Sequence, residues 1–257
     1  MKERLDLLLV DKRLVESRTK AQWLIRNGFT YVDGKIIKKP GKLVDNDSKI
    51  ELTEKFPYVG RGGLKLEAAL KSFSVSPNGK ICLDIGASVG GFTDCLLKYN
   101  ATKVYVIDTA TNLLHPSLIC KLEKVIKYLG VDARTFKTLP ELVDLITIDI
   151  TFASLKSVLP NIIHLLKKEG EIIALIKPVF ETEFHDLKRF DNIVDPDVLI
   201  DLLVNLIGWC SNNRIYLKDI MKSPLPGKGG SIEFFVYFKL YSYTEIDYKS
   251  KIKKIVG

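Results

Sequence analysis

The segment from Ile81 to Thr93 constrains this chain more than any other. Ile81-Cys-Leu-Asp84-Ile85 reads as a short buried strand, Gly86-Ala-Ser-Val-Gly90-Gly91 as a glycine-rich loop, and Phe92-Thr93 as the opening of a helix that runs to Tyr99. A strand that passes through a loop into a helix returns beside itself, which builds a parallel pair. The chain repeats that alternation. Strand patterns stand at Lys80–Ile85, Lys103–Asp108, Leu145–Ile150, Glu171–Ile176, Arg214–Asp219 and Ser231–Leu240, with helical periods at Gly90–Tyr99, Leu155–Lys168 and Pro196–Cys210. Such alternation predicts an α/β domain around a mainly parallel sheet covered on both faces.

The front of the chain follows another pattern. Leu5, Leu8 and Leu9 fall at helical spacing, and Ser17 offers an N-cap for a second helix, Arg18–Arg26, which Gly28 closes. Phe29–Val32, the turn Asp33-Gly34, Lys35–Ile37, the breaker Pro40-Gly41 and Ser48–Leu52 read as strands and hairpins. Residues 1–55 are therefore expected to form an ααβββ unit, with 56–62 a linker interrupted by Pro57 and Gly60. Gly62-Gly63 then opens a helix through Leu70 at the head of a domain over 63–242. The tail 243–257, with Lys249, Lys251, Lys253 and Lys254, reads as a helix or a loose basic arm.

Charge and cysteine usage narrow the setting. The net charge is +8, and residues 1–60 hold 13 Lys/Arg against 9 Asp/Glu, so the front end is basic and suits a polyanion. The four cysteines form no CxxC pair, which points to core thiols in a reducing interior and to no metal site. Leu7-Leu8-Leu9-Val10 lies between Asp6 and Asp11 and is too short for a secretion signal, and no later run approaches a membrane span. A cytoplasmic protein without a membrane partner is expected.

The loop itself selects a ligand class. Dinucleotide binding favours G-x-G-x-x-G, whereas here Ser88 stands at the middle glycine and the spacing is G-x-x-x-G-G through Gly86, Gly90 and Gly91. Asp84 before the loop suits a positive ammonium end, and Asp108, 24 residues on, stands where an acid grips ribose hydroxyls. Asp132 suits an adenine amino group. With Phe92, Thr93 and Ala133 these residues outline a site for S-adenosylmethionine.

Which atom would receive the methyl group follows from what is present and what is missing. Amine methylation typically uses an Asp/Asn-Pro-Pro-aromatic turn after the fourth strand, where this chain has Asp149-Ile-Thr-Phe152, and no cysteine stands near such a turn for pyrimidine C5 chemistry. What the chain supplies is Lys65, Asp149, Lys177 and Glu233, two cations and two acids. A ribose 2′-hydroxyl is a poor nucleophile and has to be held and polarised. Lys177 is assigned as base or hydroxyl positioner, Asp149 and Glu233 as its orienting partners, and Lys65 as the second cation.

Arg61-Gly-Gly-Leu-Lys-Leu, Leu83-Asp-Ile-Gly-Ala-Ser-Val-Gly-Gly-Phe-Thr-Asp-Cys-Leu, Lys177-Pro-Val-Phe and the front motifs Arg4-Leu-Asp and Ser17-Arg-Thr-Lys-Ala-Gln together resemble the TlyA family over residues 3 to 240. The resemblance implies a small α+β S4 RNA-binding domain followed by a Rossmann-like class I methyltransferase of the FtsJ kind, with a mainly parallel seven-stranded sheet. It implies a Lys-Asp-Lys-Glu catalytic tetrad and 2′-O-methylation of cytidine in 16S or 23S ribosomal RNA, with ribosomal RNA or ribosomal subunits as partner. In an S4-like unit the second helix and following loop face RNA, which makes Arg4, Arg18, Lys20, Arg26 and Lys35, with Arg61, the candidate RNA contacts. The sequence departs from the family at Thr109-Ala-Thr-Asn112 and over 181–190. Those departures keep open a non-catalytic S4 RNA-binding or ribosome assembly factor. A membrane-active haemolysin, which the family's common label suggests, lacks its span or lytic helix.

Overall fold

An apolar stripe on a helix as short as Leu5–Asp11 has no stability alone and needs a second surface. In the computed structural model, which describes residues 1–182, 193–241 and 247–257, that surface comes from its own neighbourhood, because the chain divides into two units, Met1–Arg61 and Gly62–Gly257. The first unit runs β1 (Lys2–Arg4), α1 (Leu5–Asp11), α2 (Arg18–Arg26), β2 (Thr30–Val32), β3 (Lys35–Ile36), β4 (Leu43–Asp45) and β5 (Ile50–Leu52). Leu5, Leu8 and Leu9 of α1 meet Ala21 and Ile25 of α2, with Val32, Ile37 and Val44 closing the core from below. Ser17 caps α2 as expected, its Oγ accepting from Lys20 N at 3.4 Å, a long bond. Asp33 and Gly34 both have positive φ, +49° and +76°, which the tight β2–β3 hairpin requires. The expected ααβββ order gains two strands, Lys2–Arg4 ahead of the helices and Leu43–Asp45 after β3, which pair antiparallel with each other.

The second unit continues with α3 (Arg61–Phe73, the unit boundary falling at its first residue), β6 (Ile81–Ile85), α4 (Gly91–Lys98), β7 (Lys103–Asp108), α5 (Pro116–Ile119), β8 (Val125–Leu129), β9 (Val143–Ile148) and α6 (Leu155–Ile162). Then come β10 (Leu166–Ile176), α7 (Pro196–Asn212), β11 (Tyr216–Lys222), β12 (Phe234–Lys239) and α8 (Tyr248–Val256). Its seven strands lie in the order β11-β12-β10-β9-β6-β7-β8, parallel except for β12, which runs antiparallel to both neighbours. Side chains of β12 alternate between faces, as the twofold period of a strand demands. Phe234, Val236 and Phe238 join the core that α6, α7 and α8 cover, while Phe235 stacks on Phe92 of α4 and Tyr237 on Phe73 of α3. Each fully buried Phe contributes about 2–3 kcal/mol of hydrophobic stabilisation.

Three expectations are corrected here. The helix foreseen over Leu155–Lys168 stops at Ile162, and β10 begins at Leu166, where Leu166 pairs with Val143 before a register shift leads to Glu171 opposite Leu145. The chain holds a strand, Val125–Leu129, that was not foreseen. The last two strands are Tyr216–Lys222 and Phe234–Lys239 rather than Arg214–Asp219 and Ser231–Leu240. Within the tail, the helix is found of the two expected alternatives: α8 has Ile252 fully buried in the core shared with α7, and Lys251 is ion-paired with Asp219. Residues 243–246 of that tail lie outside the described residues.

Candidate active site

β6 has β7 on one side and β9 on the other, and the chain visits them in turn, so a crevice opens at the carboxyl end of β6. The glycine loop fills its floor. Gly86 N donates to Ile107 O and Asp149 N to Ile85 O, at 2.8 and 2.9 Å, which ties the loop to both neighbours. Gly86 has φ +79°, and a Cβ there would run into the Asp149 carbonyl. Gly90, φ +92°, caps α4, and Gly91 lies so near Gly62 and Gly63 that a Cβ would sit 3.0 Å from Gly63 N. The two glycine pairs are thus one close contact between the starts of α3 and α4. Phe92 is buried against Phe235, and Ser88 keeps a left-handed backbone, φ +52°.

The acids occupy distinct places. Asp108 faces the loop, its Oδ2 accepting from Ser88 N at 2.6 Å and its Oδ1 from Ala110 N at 2.7 Å. Asp132 follows Val131, whose N donates to Asp108 O, and its carboxylate is gripped by Arg134, which holds it below the usual range. Ala133 is buried. Asp84 is 0% exposed beneath the loop; Thr93 Oγ1 donates to its Oδ2 at 2.6 Å and Thr147 Oγ1 to its Oδ1 at 3.0 Å. Burial pushes its pKa up to about 7, with the two hydroxyls opposing and the charge of Asp149 adding. Asp84 therefore meets hydroxyls rather than the surface, and Thr147 is a partner that no local pattern announced.

The four residues proposed for chemistry stand as two ion pairs. Lys177 follows β10 and Asp149 follows β9, with Lys177 Nζ 2.5 Å from Asp149 Oδ1. That oxygen is buried without a hydrogen bond of good angle, so its contact with the ammonium is ionic rather than directed. Lys65 Nζ on α3 donates to Glu233 Oε2 at 2.5 Å, both side chains buried. Glu233 immediately precedes β12, whose Phe234 pairs with Ile176, the residue before Lys177. The antiparallel register thus sets Glu233 and Lys177 at the same end of neighbouring strands. Gly227 leaves room for this, because a Cβ there would collide with the Glu233 carboxylate and Ser231 Oγ.

Two residues near the pairs were not singled out from sequence. Glu181 Oε2 accepts from Ser154 Oγ at 2.5 Å and its Oε1 from Leu155 N at 2.8 Å. Phe152, 63% exposed with φ +66°, has its ring 5.4 Å from that of Phe180. Of the departing segment 181–190, residues 183–190 lie outside the described residues. In the first unit, Asp6 accepts from Arg4 Nε and Nη2 at 3.0 Å and from Arg18 Nε and Gln22 Nε2 at 2.8 Å. Lys20 pairs with Glu16 and lies over Phe56, whereas Arg26, Lys35 and Arg61 are exposed. Among the described residues no cluster of His, Cys, Asp and Glu could hold a metal, and no helix is long and apolar enough to cross a membrane.

Comparison with known proteins agrees with this division. Residues 58–240 match the FtsJ-like methyltransferase model and residues 3–50 the S4 domain. The chain is 35% identical to the 23S rRNA (cytidine-2′-O)-methyltransferase TlyA of Campylobacter jejuni, covering 89% of this chain and 96% of that one. It is also 35% identical to Hemolysin A of Brachyspira hyodysenteriae, over 91% and 99% of the two chains. Among solved structures, a suspected hemolysin of Streptococcus thermophilus superposes with TM-score 0.74 at 31% identity, covering 99% of this chain and 94% of that one.

Proposed function

Because this chain belongs to the TlyA family, which joins an S4 domain to an FtsJ-like methyltransferase domain, we propose that it methylates a ribose 2′-hydroxyl of ribosomal RNA in the cytoplasm, with cytidine as the target nucleoside. The observation that carries this reading is the pairing of Lys177 with Asp149 and of Lys65 with Glu233 around the carboxyl ends of β9 and β10. Two lysines held by two acids suit a reaction on an alcohol oxygen. Neither a proline-rich amide-binding turn nor a cysteine nucleophile accompanies them.

The glycine loop fits S-adenosylmethionine. Gly86 lets the loop pass close against the Asp149 backbone, Asp108 presents carboxylate oxygens beside Ser88, and Asp132 and Ala133 follow where a nucleobase would end. When bound there, the cofactor supplies an electrophilic methyl group. Lys177 reacts as the amine, holding the ribose hydroxyl in line and taking up its proton, while Asp149 orients it and stabilises the ammonium that results. Lys65 stabilises the developing alkoxide, and Glu233 prevents two neighbouring cations from repelling each other. The S4 unit supplies phosphate contacts.

The test is methyl transfer to ribosomal subunits from cells lacking the modification, with the labelled ribose mapped. Lys177→Ala is expected to lower turnover by about a thousandfold with cofactor affinity kept. Unchanged transfer refutes the assignment of Lys177, and cofactor binding without any transfer by the wild type favours a non-catalytic assembly factor.

A further inference from the structure

The Lys177–Asp149 pair bridges two loops, one leaving β9 and one leaving β10; Asp149 is anchored by its own amide on Ile85 O, so the geometry of the pair depends on what holds the β10 loop against it. The β10 loop makes a single tight turn, Phe180 N donating to Lys177 O at 2.9 Å and Glu181 N to Pro178 O at 3.0 Å. That turn delivers the Glu181 carboxylate to the start of α6, where it takes the Ser154 hydroxyl and the Leu155 amide of the β9 loop. Ser154 caps α6 by accepting from Lys156 N, and Glu181 takes the Leu155 amide that this cap leaves, so one carboxylate both completes the cap and ties the two loops together. The Phe152–Phe180 ring contact ties the same two loops a second time.

We infer that Glu181 is a positioning residue for methyl transfer, a latch that fixes the loop carrying Lys177 against the loop carrying Asp149. The inference rests on the reading of Lys177 and Asp149 given above. A latch of this kind sets the separation of the two catalytic groups to a fraction of an ångström, the scale on which catalytic geometry is lost. It touches neither the glycine loop nor Asp108, so cofactor binding does not depend on it.

The experiment measures kcat and KM for ribosomal subunits, the dissociation constant of S-adenosylmethionine by calorimetry, and the thermal midpoint, for wild type, Glu181→Ala, Glu181→Gln and Ser154→Ala. Glu181→Ala is expected to lower kcat about thirtyfold with KM and cofactor affinity within about twofold of wild type. Glu181→Gln keeps an oxygen for Leu155 N and an amide toward Ser154, and should restore kcat to within about fivefold. Ser154→Ala removes one of the two latch contacts from the other side together with the cap on Lys156 N, and in the double variant its effect on kcat should not add to that of Glu181→Ala. It also reads the latch if Glu181→Ala does not fold. A kcat per folded molecule within twofold of wild type in both Glu181→Ala and Ser154→Ala overturns the latch, as does an equal fall in cofactor affinity. Absence of transfer by wild type itself refutes the functional reading instead.

Discussion

Asp6 and Asp84 are both fully buried carboxylates, one in each unit, and they are accommodated in opposite ways. Asp84 receives two hydroxyls, with Asp149 near enough to add repulsion, and burial raises its pKa to about 7. Burial alone would raise Asp6 as well, but bonds from Arg4, Gln22 and Arg18 override it and hold the carboxyl far below its usual range. Two carboxylates without exposed surface thus become a permanent anion in one unit and a group near its titration point in the other. The difference lies in whether the partners carry charge and in the depth at which each acid sits.

The strongest way to break this contrast is Asp6→Ala. It removes one carboxylate and leaves Arg4, Arg18 and Gln22 without their common acceptor, at an expected cost of about 3 kcal/mol to the first unit. Hydrogen exchange of the α1 and α2 amides would read it, and a deficit under about 1 kcal/mol at pH 7 would show that the two half-exposed arginines find water as good a partner. Because the folded pKa is depressed, Asp6 stabilises above the unfolded value of about 4 and loses that contribution as pH falls. The deficit of the variant should shrink in acid.

Asp84→Asn is expected to behave in the reverse sense. A raised folded pKa means that the protonated form is favoured by folding, so the contribution of Asp84 is complete below about pH 4 and disappears as pH rises through 7. Relative to wild type, the Asn variant should gain about 2 kcal/mol of stability between pH 5 and pH 8. Urea unfolding at the two pH values measures the difference, and an unchanged gap would mean that water reaches the Asp84 pocket.

Much of this architecture was legible in the sequence, because its signals are local. Ser17 and Gly28 bound α2, Asp33-Gly34 forced the hairpin, and the glycine loop placed the crevice. Lys65, Asp149, Lys177 and Glu233 were also foreseen as a group with both acids expected to orient Lys177, whereas Glu233 is paired with Lys65. What escaped depends on distant strands. Leu155, Val158, Leu159, Ile162, Leu165 and Leu166 continue one helical stripe, yet pairing of Leu166 with Val143 outweighs it. Val125–Leu129 is an edge strand with Lys127 at its centre, so its apolar alternation is weak. In α8 the stripe Tyr248, Ile252 and Ile255 was hidden among lysines. Thr147 and Glu181 owe their roles to partners 63 and 26 residues away, and Asp6 adds to its neighbour Arg4 a partner 12 residues on, which no window reveals.

Arg18 offers the smallest expected effect and the sharpest test of what Asp6 is for. Its Nε is committed to Asp6, which leaves both terminal nitrogens for a phosphate, and its side chain is 52% exposed. Arg4 commits Nε and Nη2 to the same carboxylate and has less to offer. Removing Arg18 should lower affinity for ribosomal RNA about tenfold at low salt and reduce the slope of log affinity against log salt by about 1, uniformly across sequences. Arg18→Lys should not restore it, since a single ammonium cannot hold Asp6 and grip phosphate together. Asp84→Asn should leave the slope unchanged. If Arg18→Ala changes stability and not the slope, Asp6 serves the fold alone, and the two buried acids differ in charge without differing in purpose.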